Sequence, residues 1–292
     1  MNHKSGFVNI IGNPNAGKST LMNALIGEKI SIITNKVQTT RHRILGILND
    51  KNYQIVFSDT PGIIDPKYKL QKSMMNFVYS SFEDADILIY IMDAGLKSIK
   101  KERIYNQLKK MKLPFFVLVN KIDLFSQDDI VNIIETIKQE MPNAKVLPIS
   151  ALNNFNIDLV KEKIIELLPE ANAYYPKDLM TDRSERFFIE EIIREKILIH
   201  YKQEIPYSVE IKVDEFEEEI DLVKIRASIF VMRESQKAIL IGHKGLGLKR
   251  IGTESRRDIE KMLNKKIFLK THIKVNKNWR DDIRKLKQFG YE

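Results

Sequence analysis

Apolar residues recur along this chain in two rhythms. From residue 7 to about 168, short apolar runs alternate with stretches of helical spacing. The runs predict strands at 7–12, 44–49, 52–58, 86–92, 114–119 and 144–149, and the spacing predicts helices at 18–27, 69–82, 98–112, 127–139 and 156–168. Runs such as 87–91 and 115–119 are apolar at every position, as in strands buried on both faces of a parallel sheet. The pair 44–49 and 52–58, joined by Asp50-Lys51, reads as a hairpin that adds one antiparallel edge strand. Together these features predict a doubly wound α/β domain over residues 1–170, with ligands bound beyond the carboxyl ends of its strands.

The rhythm breaks between Pro169 and Pro176, so residues 171–181 are expected to be a linker and 182–292 a second domain. That domain opens on a helix with Asp182 or Ser184 as cap and Phe187, Phe188, Ile192, Ile193 and Ile197 as its apolar stripe. Strands are predicted at about 206–213 and 222–232, separated by an acidic exposed loop, Asp214–Glu219. A helix ending at Ile241, a glycine turn, a helix over 246–263 and a basic strand from 265 to 275 complete it.

Composition narrows the class. The chain has 292 residues, 43% hydrophobic and 30% charged, which suits a folded globular protein. It has no cysteine, so disulfides and Cys-ligated metals are excluded. No apolar run approaches the roughly 20 residues of a membrane-spanning helix, and no signal peptide fits, so a cytoplasmic protein is expected. The net charge of +9 is unevenly spread. Residues 231–292 carry 17 Lys and Arg against 7 Asp and Glu, a net of +10, whereas 181–230 carry 8 against 13, a net of −5. A basic block is often only a solvated face, but here it is also a candidate nucleic-acid footprint.

The chemistry sits at the strand ends. After the first strand comes Gly12-Asn-Pro-Asn15-Ala16-Gly17-Lys18-Ser19-Thr20 and then a helix, the strand–turn–helix setting of a phosphate-binding loop. Its backbone N–H groups would curl around a polyphosphate held at the positive end of the helix dipole. Lys18 would reach the β- and γ-phosphates, and the Ser19 hydroxyl would hold Mg2+. After the third strand, Asp59-Thr60-Pro61-Gly62 places a carboxylate for Mg2+ and a Gly62 N–H toward the γ-phosphate. After the fifth, Asn120-Lys121-Ile122-Asp123 offers a carboxylate that accepts from both N1–H and the 2-amino group of guanine, a donor pair adenine lacks. Ser150-Ala151 after the sixth would present an N–H to the guanine O6. These motifs, in order at successive strand ends, predict GTP or GDP as the ligand.

Between the phosphate loop and Asp59, the polar segment 31–41 ends in Thr39-Thr40-Arg41. A GTPase needs such a segment, whose threonine reaches Mg2+ only while the γ-phosphate is present. Thr40 is favoured over Thr39, and a plain strand start is the competing reading. Where many small GTPases carry a water-orienting Gln, this chain has Ile63, which predicts slow intrinsic hydrolysis. Asn15 either shapes the turn or offers an oxygen to K+; both readings stand at this point.

In the second domain, Gly242-His243-Lys244-Gly245 lies between two helices in the most basic part of the chain. A Gly-x-x-Gly turn of this kind clamps a single-stranded RNA backbone in K-homology domains, with Lys244, Lys249, Arg250, Arg256 and Arg257 available to phosphates.

The whole chain resembles the Era-like family of ribosome-associated GTPases. The carrying residues are those of 12–20, the string Gln38-Thr-Thr-Arg-His-Arg43, Asp59–Gly62, Asn120–Asp123, Arg233–Lys237 and Ile241–Gly245. A hydrophobic residue at Ile63 fits the family, while His243 stands where members often carry Asn. The resemblance implies a P-loop GTPase domain followed by an α+β K-homology domain of type II. It also implies binding to the 3′ end of small-subunit ribosomal RNA during assembly of the small ribosomal subunit, favoured by GTP. A monomer is expected, with peripheral association with the inner membrane in some members. A membrane adaptor in which RNA binding is secondary is the alternative. A tRNA-modifying GTPase would need further segments that this chain does not show.

Overall fold

The computed structural model describes residues 3–96 and 102–291 and divides the chain into two compact units. One is built from residues up to Asp65 and from Met74 to Asp182, the other from Pro66–Ser73 and from Arg183 onward. The order in the first part of the chain is β1 (Lys4–Gly12), α1 (Lys18–Ile26), β2 (Ile44–Asn49), β3 (Tyr53–Asp59), α2 (Lys69–Ser80), β4 (Ile87–Asp93), α3 (Glu102–Lys109), β5 (Phe115–Asn120), α4 (Gln127–Glu140), β6 (Lys145–Pro148) and α5 (Ile157–Leu167); all lie in the first unit except that α2 belongs to it only from Met74 on. The predicted helix at 98–112 appears as α3; its residues 98–101 lie outside the described residues.

The sheet order is β2-β3-β1-β4-β5-β6, parallel except for the β2–β3 hairpin. Because β1 has β3 on one side and β4 on the other, the chain reverses its winding there, and a crevice opens beyond the carboxyl end of β1. Every residue of β5 is buried and all of β4 except Asp93, as their unbroken apolar runs require. Each such Val, Leu or Ile contributes about 1.5–3 kcal/mol by leaving water.

The stretch 171–181 runs along this unit. Tyr174 and Tyr175 donate their N–H groups to Gln54 Oε1, Asn49 Nδ2 donates to Leu179 O, the Ile47 N–H to Met180 O, and Thr181 Oγ1 to Leu45 O. β2 is an edge strand, and this segment satisfies backbone groups that the edge would leave open.

The second unit has α6 (Glu185–His200), a one-turn helix α7 (Ile205–Ser208), β7 (Glu210–Glu218), β8 (Leu222–Val231), α8 (Glu234–Ile241), α9 (Leu246–Leu263), β9 (Lys266–Val275) and α10 (Ile283–Gln288). Its sheet runs β7-β8-β9, antiparallel then parallel. The α-β-β-α-α-β succession through β9 is the predicted α+β architecture.

Two sequence expectations are corrected. The strand expected at 206 starts at Glu210, because Ile205-Pro206 opens a helical turn with proline where no N–H is needed. The acidic stretch expected as a loop continues the strand to Glu218. A bulge between Val213 and Glu215 sets Glu215 opposite Arg226, with which it pairs across the sheet, and Glu217 opposite Lys224, whose ammonium pairs with Glu219 just beyond the strand. Ser184 occupies the N-cap of α6 without a side-chain cap bond, while Asp182 accepts the Leu45 N–H. The C-terminal segment, for which the sequence carried no prediction, is anchored by buried Trp279, whose Nε1–H donates to Ser208 O, and by Tyr291, whose hydroxyl donates to Glu210.

Candidate nucleotide and RNA sites

The loop between β1 and α1 forms one wall of a cleft of about 470 Å³ at the carboxyl edge of the sheet. Gly17 caps α1 in the left-handed region (φ +102°), and a Cβ there would come within 2.2 Å of the Asn120 amide, so only glycine fits. Lys18 is buried and its Nζ donates to the carbonyls of Gly12 and Asn13 at 3.2 and 2.9 Å. Burial pushes its pKa down to about 8, against the opposing pull of Asp59. A polyphosphate in the cleft would stabilise the ammonium form.

Three oxygens converge beside it. Ser19 Oγ lies 2.6 Å from Asp59 Oδ2 and 2.9 Å from Thr40 Oγ1, and Thr40 Oγ1 lies 3.4 Å from the same carboxylate oxygen. Asp59 is fully buried, and its Oδ1 has no hydrogen-bond partner among the described residues. Burial pushes its carboxyl up, against the Ser19 hydrogen bond and the Lys18 charge. An orphaned carboxylate oxygen among hydroxyls is the hard-oxygen donor set that suits Mg2+. Thr40 therefore faces Asp59, whereas Thr39 is taken up locally, its Oγ1 donating to Lys36 O at 2.6 Å and touching Thr34 Oγ1.

Gly62 and Thr20 also line the cleft, but Ile63 is 3% exposed and packed in the core, with its N–H on Gly12 O. A side chain so placed cannot orient water. The Asn15 amide donates to Asn35 O at 2.9 Å, tying the loop to the following segment.

At the other end of the cleft, buried Asn120 staples two loops, its Nδ2 donating to Ala16 O at 2.7 Å while its Oδ1 accepts the Ala151 N–H at 2.9 Å. Lys121 adopts φ +65°, and its ammonium is held by Asp93 at 2.7 Å. Asp123, on the single turn Ile122–Leu124, is exposed at the rim. Ser150, Leu124 and Leu152 complete this end; the two leucines, 70% and 78% exposed, offer apolar surface to a flat base. Sequence reading missed Leu124 and Asp93, since neither belongs to a motif.

Replacing Asn120 with Ala removes both bonds of that staple. The two buried backbone groups left unpaired are expected to cost about 2–4 kcal/mol. Trp279 lies in the second unit and is blind to this change, so differential scanning calorimetry of the full chain is the appropriate measurement. An unshifted first-unit transition would show that the staple carries no stability.

In the second unit, α8 ends at Gly242 (φ +70°, ψ −179°), followed by exposed His243 and Lys244 and by Gly245 at φ +78°. A groove of about 350 Å³ runs from Gly245 between α9 and β9, lined by Leu248, Lys249, Thr253, Arg256 and Leu269 among others. Lys244 and Lys249 have no acidic partner among the described residues, whereas Arg250 and Arg256 pair with Glu254 and Glu260 one turn on. Arg257 points away from the groove, into a hollow shared with Lys196 and Asp258. The groove floor residues Leu248 and Leu269 were not singled out from sequence, because their alignment depends on packing α9 against β9.

Residues 7–121 match the model of the 50S ribosome-binding GTPase family, and residues 204–280 that of the KH domain. A curated relative, GTPase Era of Alkaliphilus metalliredigens, is 42% identical over 295 aligned residues that cover 100% of both chains. Among solved structures, a crystal structure of Era in complex with MgGDPNP and nucleotides 1506–1542 of 16S ribosomal RNA superposes with a TM-score of 0.95 at 38% identity, covering 99% of each chain. A variant of Aquifex aeolicus Era bound to GDP·AlF4− gives a TM-score of 0.95 at 38% identity, again covering 99% of both.

Proposed function

We propose a function on the premise that this chain belongs to the GTPase Era family. It is a GTP-binding and GTP-hydrolysing switch that binds the 3′ region of small-subunit ribosomal RNA and acts in assembly of the small ribosomal subunit. The observation that carries this reading is the union, in one chain matched over its full length, of the guanine-nucleotide cleft and the Gly-x-x-Gly turn.

In the first domain, Lys18 and the loop N–H groups hold the β- and γ-phosphates, and Asp123 reads guanine; the Ala151 N–H expected at the guanine O6 is instead taken by Asn120 Oδ1, so Ala151 holds the loop in place. Ser19, Thr40 and Asp59 would hold Mg2+, which would supply positive charge to the phosphate oxygens. Thr40 already faces Ser19 and Asp59 in the fold, and a bound γ-phosphate would hold it there and order the segment before it. The buried Ile63 leaves the attacking water without a side-chain guide from its position, so intrinsic hydrolysis is slow. In the second domain, Gly242–Gly245 lies against the RNA backbone, Lys244 and Lys249 meet phosphates, and bases enter the groove above Leu248 and Leu269.

The protein works as a cytoplasmic monomer. Its basic second domain also suits peripheral contact with an anionic membrane; among the described residues no helix is long and apolar enough to cross one.

The test is binding to an RNA of the small-subunit 3′ end by protein loaded with a non-hydrolysable GTP analogue, with GDP, or with neither. The expected result is tightest binding in the analogue state. Equal binding in all three would remove the switch, and none at all, alongside retention on anionic vesicles, would replace this reading with the membrane adaptor.

A further inference from the structure

The string Gln38–Arg43 is more specific than the general GTPase motifs, yet the switch uses only Thr40 from it. Its last residue has an unusual set of partners. Arg43 Nε donates to Ser58 Oγ at 2.6 Å, its two terminal nitrogens grip Asp84 at 2.5 and 3.0 Å, and one of them also reaches Asn9 Oδ1 at 3.1 Å. Asn9 in turn donates to Ser81 O at 2.9 Å and to Asp84 Oδ1 at 2.6 Å. Asn9 and Ser58 are fully buried, and the Arg43 side chain is only 15% exposed. A planar guanidinium gripping a carboxylate with two nitrogens fixes orientation as well as distance.

We infer that Arg43, Asp84 and Asn9 form a clasp that positions Thr40, and through it sets how well the protein distinguishes a nucleotide with a γ-phosphate from GDP. The geometry places the clasp where it can do so. Arg43 follows Thr40 by three residues, Ser58 precedes Asp59, and Ile44 pairs with Asp59 in the β2–β3 ladder. The backbone just downstream of Thr40 is thereby held to the strand that carries the Mg2+ carboxylate. At its upstream end the segment is pinned by Asn23, whose amide accepts the N–H groups of Ile30 and Ser31 at 3.0 and 2.9 Å and donates to Ser31 O at 2.8 Å. Residues 32–42 lie between the two anchors. Ser81 and Asp84 follow α2, whose preceding loop carries Gly62 and Ile63. The clasp therefore ties the segment that carries Thr40 to the turn between α2 and β4.

This inference rests on the switch reading, and its test separates the two. Full-length wild type, Arg43→Lys, Asp84→Asn and the double variant are titrated with GDP and with a non-hydrolysable GTP analogue at several Mg2+ concentrations. Amide exchange over residues 31–42 is followed in each state. Arg43→Lys keeps the charge but loses the fork, so analogue affinity is expected to fall about tenfold while GDP affinity stays within about twofold. The Mg2+ requirement with the analogue rises, residues 31–42 exchange faster, and the double variant is no worse than either single one. Parallel weakening of both nucleotides, or an unchanged ratio between them, would overturn the clasp and leave the bonds a purely structural role. If wild type gains no protection and no Mg2+ dependence with the analogue, the switch reading has failed, and the clasp with it.

Discussion

Asp123→Asn is expected to weaken GDP binding by about 10³-fold and to create affinity for xanthine nucleotides. The argument turns on donor count. A carboxylate accepts from N1–H and from the 2-amino group at once, whereas an asparagine amide offers one acceptor and one donor. Against guanine, the Asn NH2 would face the 2-amino group and leave both unpaired. Xanthine carries a carbonyl at that position and restores the pair. The local structure supports a clean experiment, because Asp123 is exposed on the turn after β5 and holds no other group among the described residues. The melting transition should therefore not move, while fluorescent GDP and XDP titrations exchange rank. Loss of GDP binding with no gain for XDP would mean that Asp123 shapes the turn and does not read the base.

Gly242→Asp is expected to weaken RNA binding by at least about 100-fold while leaving GDP binding intact. Two effects add. At φ +70° and ψ −179°, Gly242 sits in a region essentially reserved for glycine, and a Cβ there would lie 3.0 Å from the Gly247 N. Holding any side chain in that conformation costs about 1–3 kcal/mol, so the turn will relax away from the shape a backbone needs. The new carboxylate then stands where phosphates must approach, beside Lys244. Gly242→Ala separates the two effects, since it keeps the strain and omits the charge, and is expected to lose less. Trp279 fluorescence shows whether the second domain still folds, and nucleotide titration checks the first. Filter binding unchanged by Gly242→Asp would remove the turn from the RNA interface and leave the groove or the basic surface to carry it.

Much of this protein was legible along the chain because the relevant information is local. The runs at 87–91 and 115–119 could only be strands buried on both faces, and β4 and β5 are those strands. The phosphate loop, the Asp59 and Asn120 motifs and the Gly-x-x-Gly turn are each a few consecutive residues whose backbone demands are written in their glycines and polar groups. Ordered along the chain, they implied both the sheet and the ligand.

The remainder depended on partners distant in sequence. The sequence favoured Thr40 over Thr39 but left a plain strand start open; the fold decides it, since the turn at Thr34–Thr39 takes up Thr39 and leaves the Thr40 hydroxyl facing Asp59. The glutamates after Val213 looked like a loop because isolated acids disfavour strands, and cross-strand Arg226 and Lys224 reverse that preference. The stretch after Pro169 carried no period, yet its backbone is engaged by Asn49 of edge strand β2 and Gln54 of β3, more than a hundred residues earlier. Arg43 is the sharpest case. Its neighbours in sequence predict nothing for it, while Asn9, Ser58 and Asp84, from three separate parts of the fold, converge on one guanidinium. Periodicity and motif chemistry are properties of short windows, so the sequence by itself determined elements, class and ligand. Hydrogen bonds between far-separated side chains exist only once the chain has closed, so only the tertiary structure decided which residues hold the functional ones in place.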